Sequence, residues 1–140
     1  EALVREGKAA KHDVSMPVSA MAEFVAVADA AVRRVAPGVR PIVFGHLGDG
    51  NLHYNLLPAE DQDPAAFVAL APELTRIVHD EIGRRRGSIS AEHGIGQLRV
   101  AEMPLRKAPL ELELMNQLKH LLDPAGLLNP GKLLPAATGN

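Results

Sequence analysis

Two short segments carry the residue types in this chain that could do chemistry. The first runs from Gly45 to Asn55 and reads Gly-His-Leu-Gly-Asp-Gly-Asn-Leu-His-Tyr-Asn, and the second runs from Ser90 to Gly96 and reads Ser-Ala-Glu-His-Gly-Ile-Gly. Imidazole and carboxylate groups bind divalent metals and also transfer protons. The two segments together therefore predict a metal site beside a general base.

The first segment contains a strong β-hairpin signal. Asp49-Gly50 is a favoured two-residue turn, and apolar runs flank it on both sides. A turn centred there pairs His46 with His53 on one sheet face, with Cβ atoms roughly 5 Å apart. That separation suits two imidazoles that share one ion through bonds of about 2.0–2.1 Å. Asn55 follows on the same face. The alternative is a glycine-rich turn with two surface histidines.

Glu92 in the second segment adds a carboxylate to the two histidines. Two histidines and one carboxylate leave a coordination position open for water or substrate, as catalytic zinc sites do. His93 is the next residue, and neighbouring side chains of a strand point to opposite faces, so a bend at Gly94 or Gly96 would be needed for both to face the metal. Each residue alone is more often a surface group. Their adjacency in a glycine-bounded segment favours the functional interpretation.

The composition is that of one globular domain. The chain has 140 residues, 46% of them hydrophobic, which is enough for one core but hardly for two. It contains no cysteine, which excludes disulfides and thiolate ligands. A net charge of -2 and 3% aromatic residues argue against nucleic-acid binding. No stretch approaches the roughly 18 apolar residues that cross a membrane. The chain begins at Glu1 rather than Met, which suggests a piece of a longer protein.

Hydrophobic periodicity predicts the elements that would position these residues. We expect a strand over 14–17, a helix over 19–35 capped by Ser19, the hairpin, a helix over about 64–86 and a helix over about 109–122. Pro72 could kink the second helix, and Asp123 stops the third. This mixture favours an α+β fold in which helices cover one face of an antiparallel sheet. The other face would carry the histidines and would need another domain to exclude water.

Further landmarks extend the pattern over nearly the whole chain. Lys11 opens Lys-His-Asp-Val-Ser-Met-Pro, and the tail from Leu122 to Lys132 reads Leu-Asp-Pro-Ala-Gly-Leu-Leu-Asn-Pro-Gly-Lys. With the two histidine segments, in this order, the sequence resembles the C-terminal domain of FAD-linked 2-hydroxyacid dehydrogenases and oxidases, of the D-lactate dehydrogenase, glycolate oxidase FAD subunit and D-2-hydroxyglutarate dehydrogenase type. The resemblance implies that residues 1–140 form a ferredoxin-like C-terminal domain that binds substrate and metal. The N-terminal FAD-binding domain would lie outside the chain.

The resemblance also implies a metal site and a base. His46, His53 and Glu92 would hold a divalent metal, with zinc as the leading candidate. His93 would bind the substrate hydroxyl and take its proton, while the metal lowers the pKa of that hydroxyl. A D-2-hydroxyacid would become a 2-oxoacid, with hydride transfer to FAD.

Three further residues receive roles only through the resemblance. Lys11 and Asn55 would bind the substrate carboxylate or hydroxyl, and Asn129 would contact FAD. The FAD-binding domain of the same parent protein and an electron acceptor are the other expected partners. The isolated fragment would be inactive. The expected location is the bacterial cytosol, or the inner-membrane surface through the electron acceptor.

Two other function classes stay open at this point. A metal-dependent hydrolase could use the same two histidines and glutamate to activate water. A non-catalytic interaction module could instead dock a flavoprotein on its uncovered sheet face, and that face could also pair with itself in a homodimer. The sequence does not select the hydroxyacid, the electron acceptor or the metal.

Overall fold

The computed structural model describes residues 9–135, which belong to two compact units, 9–92 and 93–135. The first unit contains the strands β1 (Ala10–Ser15), β2 (Arg40–His46) and β3 (Asn51–Leu57) and the helices α1 (Met21–Val35) and α2 (Pro64–Arg84). The second unit contains the short helix α3 (Met103–Arg106) and the helix α4 (Pro109–Leu122). The predicted α+β class is therefore confirmed.

The strands of the first unit form one antiparallel sheet in the order β1-β3-β2. A single antiparallel bridge joins Ser15 of β1 to Ser88, with backbone hydrogen bonds of 3.0 and 2.8 Å. A βαββα order with one further antiparallel pairing on β1 is the ferredoxin-like arrangement, in which the fourth strand is here reduced to a single bridge. The segment 88–92 is otherwise irregular.

One face of the sheet packs on α1 and α2, as predicted. Tyr54 of β3 is fully buried, its ring lies 5.4 Å from that of Phe24, and its hydroxyl donates to Asp29 Oδ1 at 2.7 Å. Burial and this hydrogen bond to the Asp29 carboxylate raise the pKa of Tyr54. From β1, buried His12 places Nε2 3.0 Å from the Thr75 hydroxyl of α2. Polar groups on this face are thus paired with the helices that cover them.

Helices α1 and α2 follow the predicted apolar periodicity, with differences at their ends, whereas α4 buries none of its residues. Helix α1 buries Phe24 and Ala28, and α2 buries Phe67 and Leu74. Helix α1 begins at Met21 because a 3-10 turn, Val18–Ala20, comes first, so the predicted cap at Ser19 is wrong. Helix α2 continues through Pro72 without interruption.

The connection between β2 and β3 is longer than predicted. A 3-10 turn occupies Leu47–Asp49, and Gly50 closes it in the left-handed region at a φ of 69°. His46 consequently pairs with Asn51, and the partner of His53 is Phe44, so the predicted two-residue turn is wrong. The register differs by two residues, which keeps every side chain on its predicted face because strands alternate with a period of two.

Gly50 offers a test of this connection. We expect Gly50→Ala to lower the free energy of unfolding by about 1–3 kcal/mol, because the backbone is left-handed and a Cβ would overlap the Met16 carbonyl oxygen. Gly48→Ala in the same turn is the matched control, since no atom lies within 4 Å of its added Cβ. Urea unfolding of both variants measures the difference. Equal free energies of unfolding would contradict the described turn.

The second unit is organised around the end of α4. The helix runs from Pro109 to Leu122, as predicted, and Asp123 follows as its C-cap. The Asp123 carboxylate accepts hydrogen bonds from the Leu127 and Leu128 amides, each at 2.9 Å, and from the Lys119 ammonium, whose proximity lowers the pKa of Asp123. Within residues 9–135, no helix is long and apolar enough to cross a membrane.

Candidate functional site

Most of the residues singled out from the sequence share the sheet face opposite the helices. Side chains alternate along each strand, and three cross-strand pairs point to this face. The pairs are Lys11 with Asn55, Asp13 with His53, and His46 with Asn51. We call these six residues the polar face. Predicted metal ligands and predicted substrate contacts thus occupy one continuous surface of the first unit.

Glu92 reaches the polar face from the irregular segment after Ser88. Its Oε1 lies 2.9 Å from His46 Nδ1 and also accepts a hydrogen bond from Asn51 Nδ2. The side chains of His46 and Glu92 are 61% and 44% exposed, whereas Asn51 is buried. The structure therefore brings the predicted carboxylate into direct contact with one of the two predicted histidines.

His53 lies diagonally from His46 on the same face. The two ring centroids are 6.2 Å apart and the rings are nearly perpendicular. The Phe44 ring packs 5.1 Å from His53, and Asp13 Oδ1 lies 3.7 Å from His53 Nδ1. An apolar ring on one side and a carboxylate on the other thus restrict the orientation of this imidazole.

Asp13 is a residue to which the sequence reasoning assigned no role. It is 2% exposed, and its Oδ2 accepts hydrogen bonds from the backbone amides of Ala91 and Glu92 at 3.1 and 2.8 Å. The predicted strand, 14–17, excluded Asp13 and Lys11, so their shared face could not be predicted from strand alternation. Asp13 is also 78 and 79 positions away in sequence from its partners Ala91 and Glu92, so no local sequence pattern indicates the contact.

The donor groups around Glu92 fit a divalent metal. His46 contacts Glu92 and His53 lies beside His46 on the polar face, and imidazole and carboxylate ligands bind zinc and its neighbours in the first transition row. Asp13 beside His53 resembles the carboxylate that commonly supports a metal-binding histidine. The metal site at His46, His53 and Glu92 stays a prediction that rests on their residue types.

Lys11 and Asn55 lie one step along the sheet from Asp13 and His53. Asn55 is 4% exposed, and Lys11 is exposed directly opposite it on β1. An ammonium group and an amide side by side can bind a carboxylate through a charge-assisted hydrogen bond and a neutral one. The polar face therefore combines metal-ligand chemistry with anion-binding chemistry.

The other two predicted site residues belong to the second unit. His93 is its first residue, is exposed, and is bonded directly to Glu92. Asn129 is exposed and takes a positive φ of 52°, in the turn that follows the amides held by Asp123. Asparagine tolerates this left-handed conformation better than most residues, so the local turn accounts for its type.

Known proteins match the chain over nearly its whole length. Residues 2–133 match the family model described as FAD linked oxidases, C-terminal domain. A D-2-hydroxyglutarate dehydrogenase from Xanthomonas citri pv. viticola is 43% identical over 123 residues, which cover 88% of this chain and 26% of the relative. Mitochondrial D-2-hydroxyglutarate dehydrogenases from Bos taurus and Arabidopsis thaliana are 41% and 39% identical; each alignment covers 96% of this chain, and they cover 24% and 23% of the relatives.

The matched length differs between the relatives and the family model. The chain spans about a quarter of the length of the curated relatives, so their names describe proteins much larger than the part compared. The family model, in contrast, covers almost every residue between the two ends of this chain. The chain belongs to the family of C-terminal domains of FAD-linked oxidases.

Proposed function

We propose that this chain is the metal- and substrate-binding part of a FAD-dependent dehydrogenase that oxidises a D-2-hydroxyacid to the 2-oxoacid. The observation that carries the proposal is the contact between His46 and Glu92, beside His53, on the sheet face opposite the helices. The relatives named D-2-hydroxyglutarate dehydrogenase make D-2-hydroxyglutarate the first substrate to test.

His46, His53 and Glu92 are the proposed ligands of a divalent metal. A bound ion of this kind supplies a Lewis acid that lowers the pKa of a substrate hydroxyl. Solvent reaches the side chains of His46 and Glu92 in this chain. Exclusion of water from the reacting groups would therefore require covering by the remainder of a larger protein.

His93 is the proposed base that accepts the hydroxyl proton. It is the residue after Glu92, whose own amide is held by the Asp13 carboxylate, so the backbone leading to His93 starts from a fixed point. A base positioned within hydrogen-bond reach of the proton it accepts contributes about 10²- to 10⁴-fold to a rate. Base and metal ligand would thus come from adjacent residues.

Lys11 and Asn55 are the proposed contacts to the substrate. The Lys11 ammonium would pair with the substrate carboxylate, and the buried Asn55 amide would fix its orientation by a hydrogen bond. Asn129 is the proposed contact to FAD. We propose that FAD, bound mainly by a domain outside this chain, accepts the two electrons of the oxidation. An electron acceptor would then reoxidise the flavin.

Anaerobic flavin reduction in the full-length protein tests this proposal. We expect D-2-hydroxyglutarate, or failing that D-lactate or glycolate, to bleach the flavin absorbance, while the L-enantiomers of the chiral acids do not. The 140-residue chain alone should show no turnover, because amino-acid side chains do not accept a hydride and FAD is proposed to bind mainly to another domain. Turnover by the chain alone, or zinc-dependent ester hydrolysis that His46→Ala abolishes, would contradict the proposal and favour a hydrolase. Intact binding to a flavoprotein with no metal and no flavin bleaching would favour an interaction module.

A further inference from the structure

We propose that Asp13 is a positioning residue that fixes Glu92 and His53 relative to each other on the polar face. One buried carboxylate accepts a hydrogen bond from the backbone amide of Glu92 and lies 3.7 Å from the ring nitrogen Nδ1 of His53. The inference rests on the proposed function, because it concerns two of the three proposed metal ligands. Its physical basis, however, lies entirely in contacts within the first unit.

The first contact is with the backbone of the segment 88–92. Asp13 Oδ2 accepts the amide hydrogens of both Ala91 and Glu92, at 3.1 and 2.8 Å. Hydrogen bonds to an ionised carboxylate are roughly twice as strong as those between neutral groups. Because the bonded groups are main-chain amides, the carboxylate fixes the position from which the Glu92 side chain extends.

The segment 88–92 is irregular apart from its bridge to β1. Its backbone contacts with β1 include the bridge with Ser15 and a hydrogen bond from the Ala91 amide to the Asp13 carbonyl at 3.2 Å. Both partners lie on β1, two residues apart. A segment without a full strand ladder must satisfy its amides elsewhere, and here the Asp13 side chain accepts two of them.

The second contact is with His53, the cross-strand partner of Asp13. Asp13 Oδ1 lies 3.7 Å from His53 Nδ1. A carboxylate on that side favours the tautomer with the proton on Nδ1, which leaves the lone pair of Nε2 available to a metal. The same side chain thus positions one proposed ligand through its backbone and a second through its ring.

Asparagine and alanine at position 13 separate these two effects. In Asp13→Asn the amide oxygen can still accept both backbone hydrogens, but an NH₂ group then replaces the carboxylate oxygen that faces His53. In Asp13→Ala both contacts are lost. The matched control is Asp29→Asn, which removes a carboxylate that accepts the Tyr54 hydroxyl on the helix-covered face.

Two measurements on the full-length protein test the inference: zinc affinity by competition with a chelator, and amide hydrogen exchange resolved to Glu92. We expect Asp13→Asn to weaken zinc binding about 10- to 100-fold, with Glu92 exchange close to that of the parent. We expect Asp13→Ala to weaken zinc binding at least as much and to speed Glu92 exchange about tenfold or more. Asp29→Asn should lower the thermal midpoint and leave both measurements unchanged.

The outcomes distinguish this inference from the proposed function. If the parent binds zinc and both Asp13 variants bind it equally well, the positioning role is overturned while the metal site stands. If the parent binds no zinc, the metal site is contradicted, and the exchange of the Glu92 amide alone decides the role of Asp13. Faster exchange in Asp13→Ala then supports it, and unchanged exchange overturns it. A loss of zinc affinity in Asp29→Asn equal to the loss in the Asp13 variants would show a general loss of structure and would also overturn the positioning role.

Discussion

His46→Ala is expected to reduce the metal content of the full-length protein from about one ion per chain to near zero and kcat/KM about 10³-fold or more. His46 is one of three proposed ligands, and its Nδ1 already contacts the Glu92 carboxylate. The side chain is 61% exposed, so its removal leaves no cavity in the core. Elemental mass spectrometry of the purified protein, with anaerobic flavin reduction on the same samples, measures both effects.

His120→Ala provides the control for this experiment. His120 is also an exposed histidine, but it lies on α4 and has no proposed role. We expect this variant to keep the metal content and activity of the parent. His53→Ala and Glu92→Ala should repeat the loss of metal, although His53 is less exposed and its removal also affects packing with Phe44. Full metal content in all three ligand variants would exclude this site.

Strand alternation explains why the shared face of His46 and His53 could be predicted from the sequence. Side chains alternate with a period of two, so any hairpin whose register differs by an even number of residues places both histidines on one face. The register itself could not be predicted from Asp49-Gly50, because that pair also suits a 3-10 turn that ends at a left-handed glycine. His46 and His53 are consequently diagonal neighbours on adjacent strands rather than a directly opposed cross-strand pair.

The bounds of strand β1 could not be predicted from the local hydrophobicity pattern. The strand was predicted over 14–17 but occupies Ala10–Ser15, because it alternates Lys11 and Asp13 with a histidine, His12, that is buried against α2. Buried polar residues look like exposed ones in a hydrophobicity pattern, since their hydrogen-bond partners come from distant parts of the chain. The contacts of Asp13 were missed for the same reason, because its partners are main-chain amides at 91–92.

The approach of Glu92 to His46 is a further relation that spacing alone does not predict. The two residues come from separate elements, and their contact depends on how the segment after Ser88 is held against β1. The residue types suggested a shared site, and the family resemblance assigned their roles. Packing supplies the distance between them, which is a property of the folded first unit rather than of either motif.

His93→Gln is expected to lower kcat about 10²- to 10⁴-fold while leaving the metal content of the full-length protein unchanged. Glutamine retains a polar side chain of comparable reach but cannot accept and hold a proton at neutral pH. KM should change less than kcat, because substrate binding is proposed to rest mainly on Lys11 and Asn55. Rapid-mixing measurements of flavin reduction, made without oxygen, isolate the oxidation step from reoxidation of the flavin.

The combination of rate and metal content makes the role of His93 distinguishable from that of a ligand. His120→Gln, the same substitution on α4, should leave rate and metal content unchanged. A loss of metal in His93→Gln equal to that in His46→Ala would mean that His93 binds the ion rather than the substrate proton. An undiminished rate with full metal content would place the base elsewhere. A slow enzyme that keeps its metal and has a nearly unchanged KM is the result expected of a base at His93 and not of a metal ligand, because the rate then falls while the metal site stays filled.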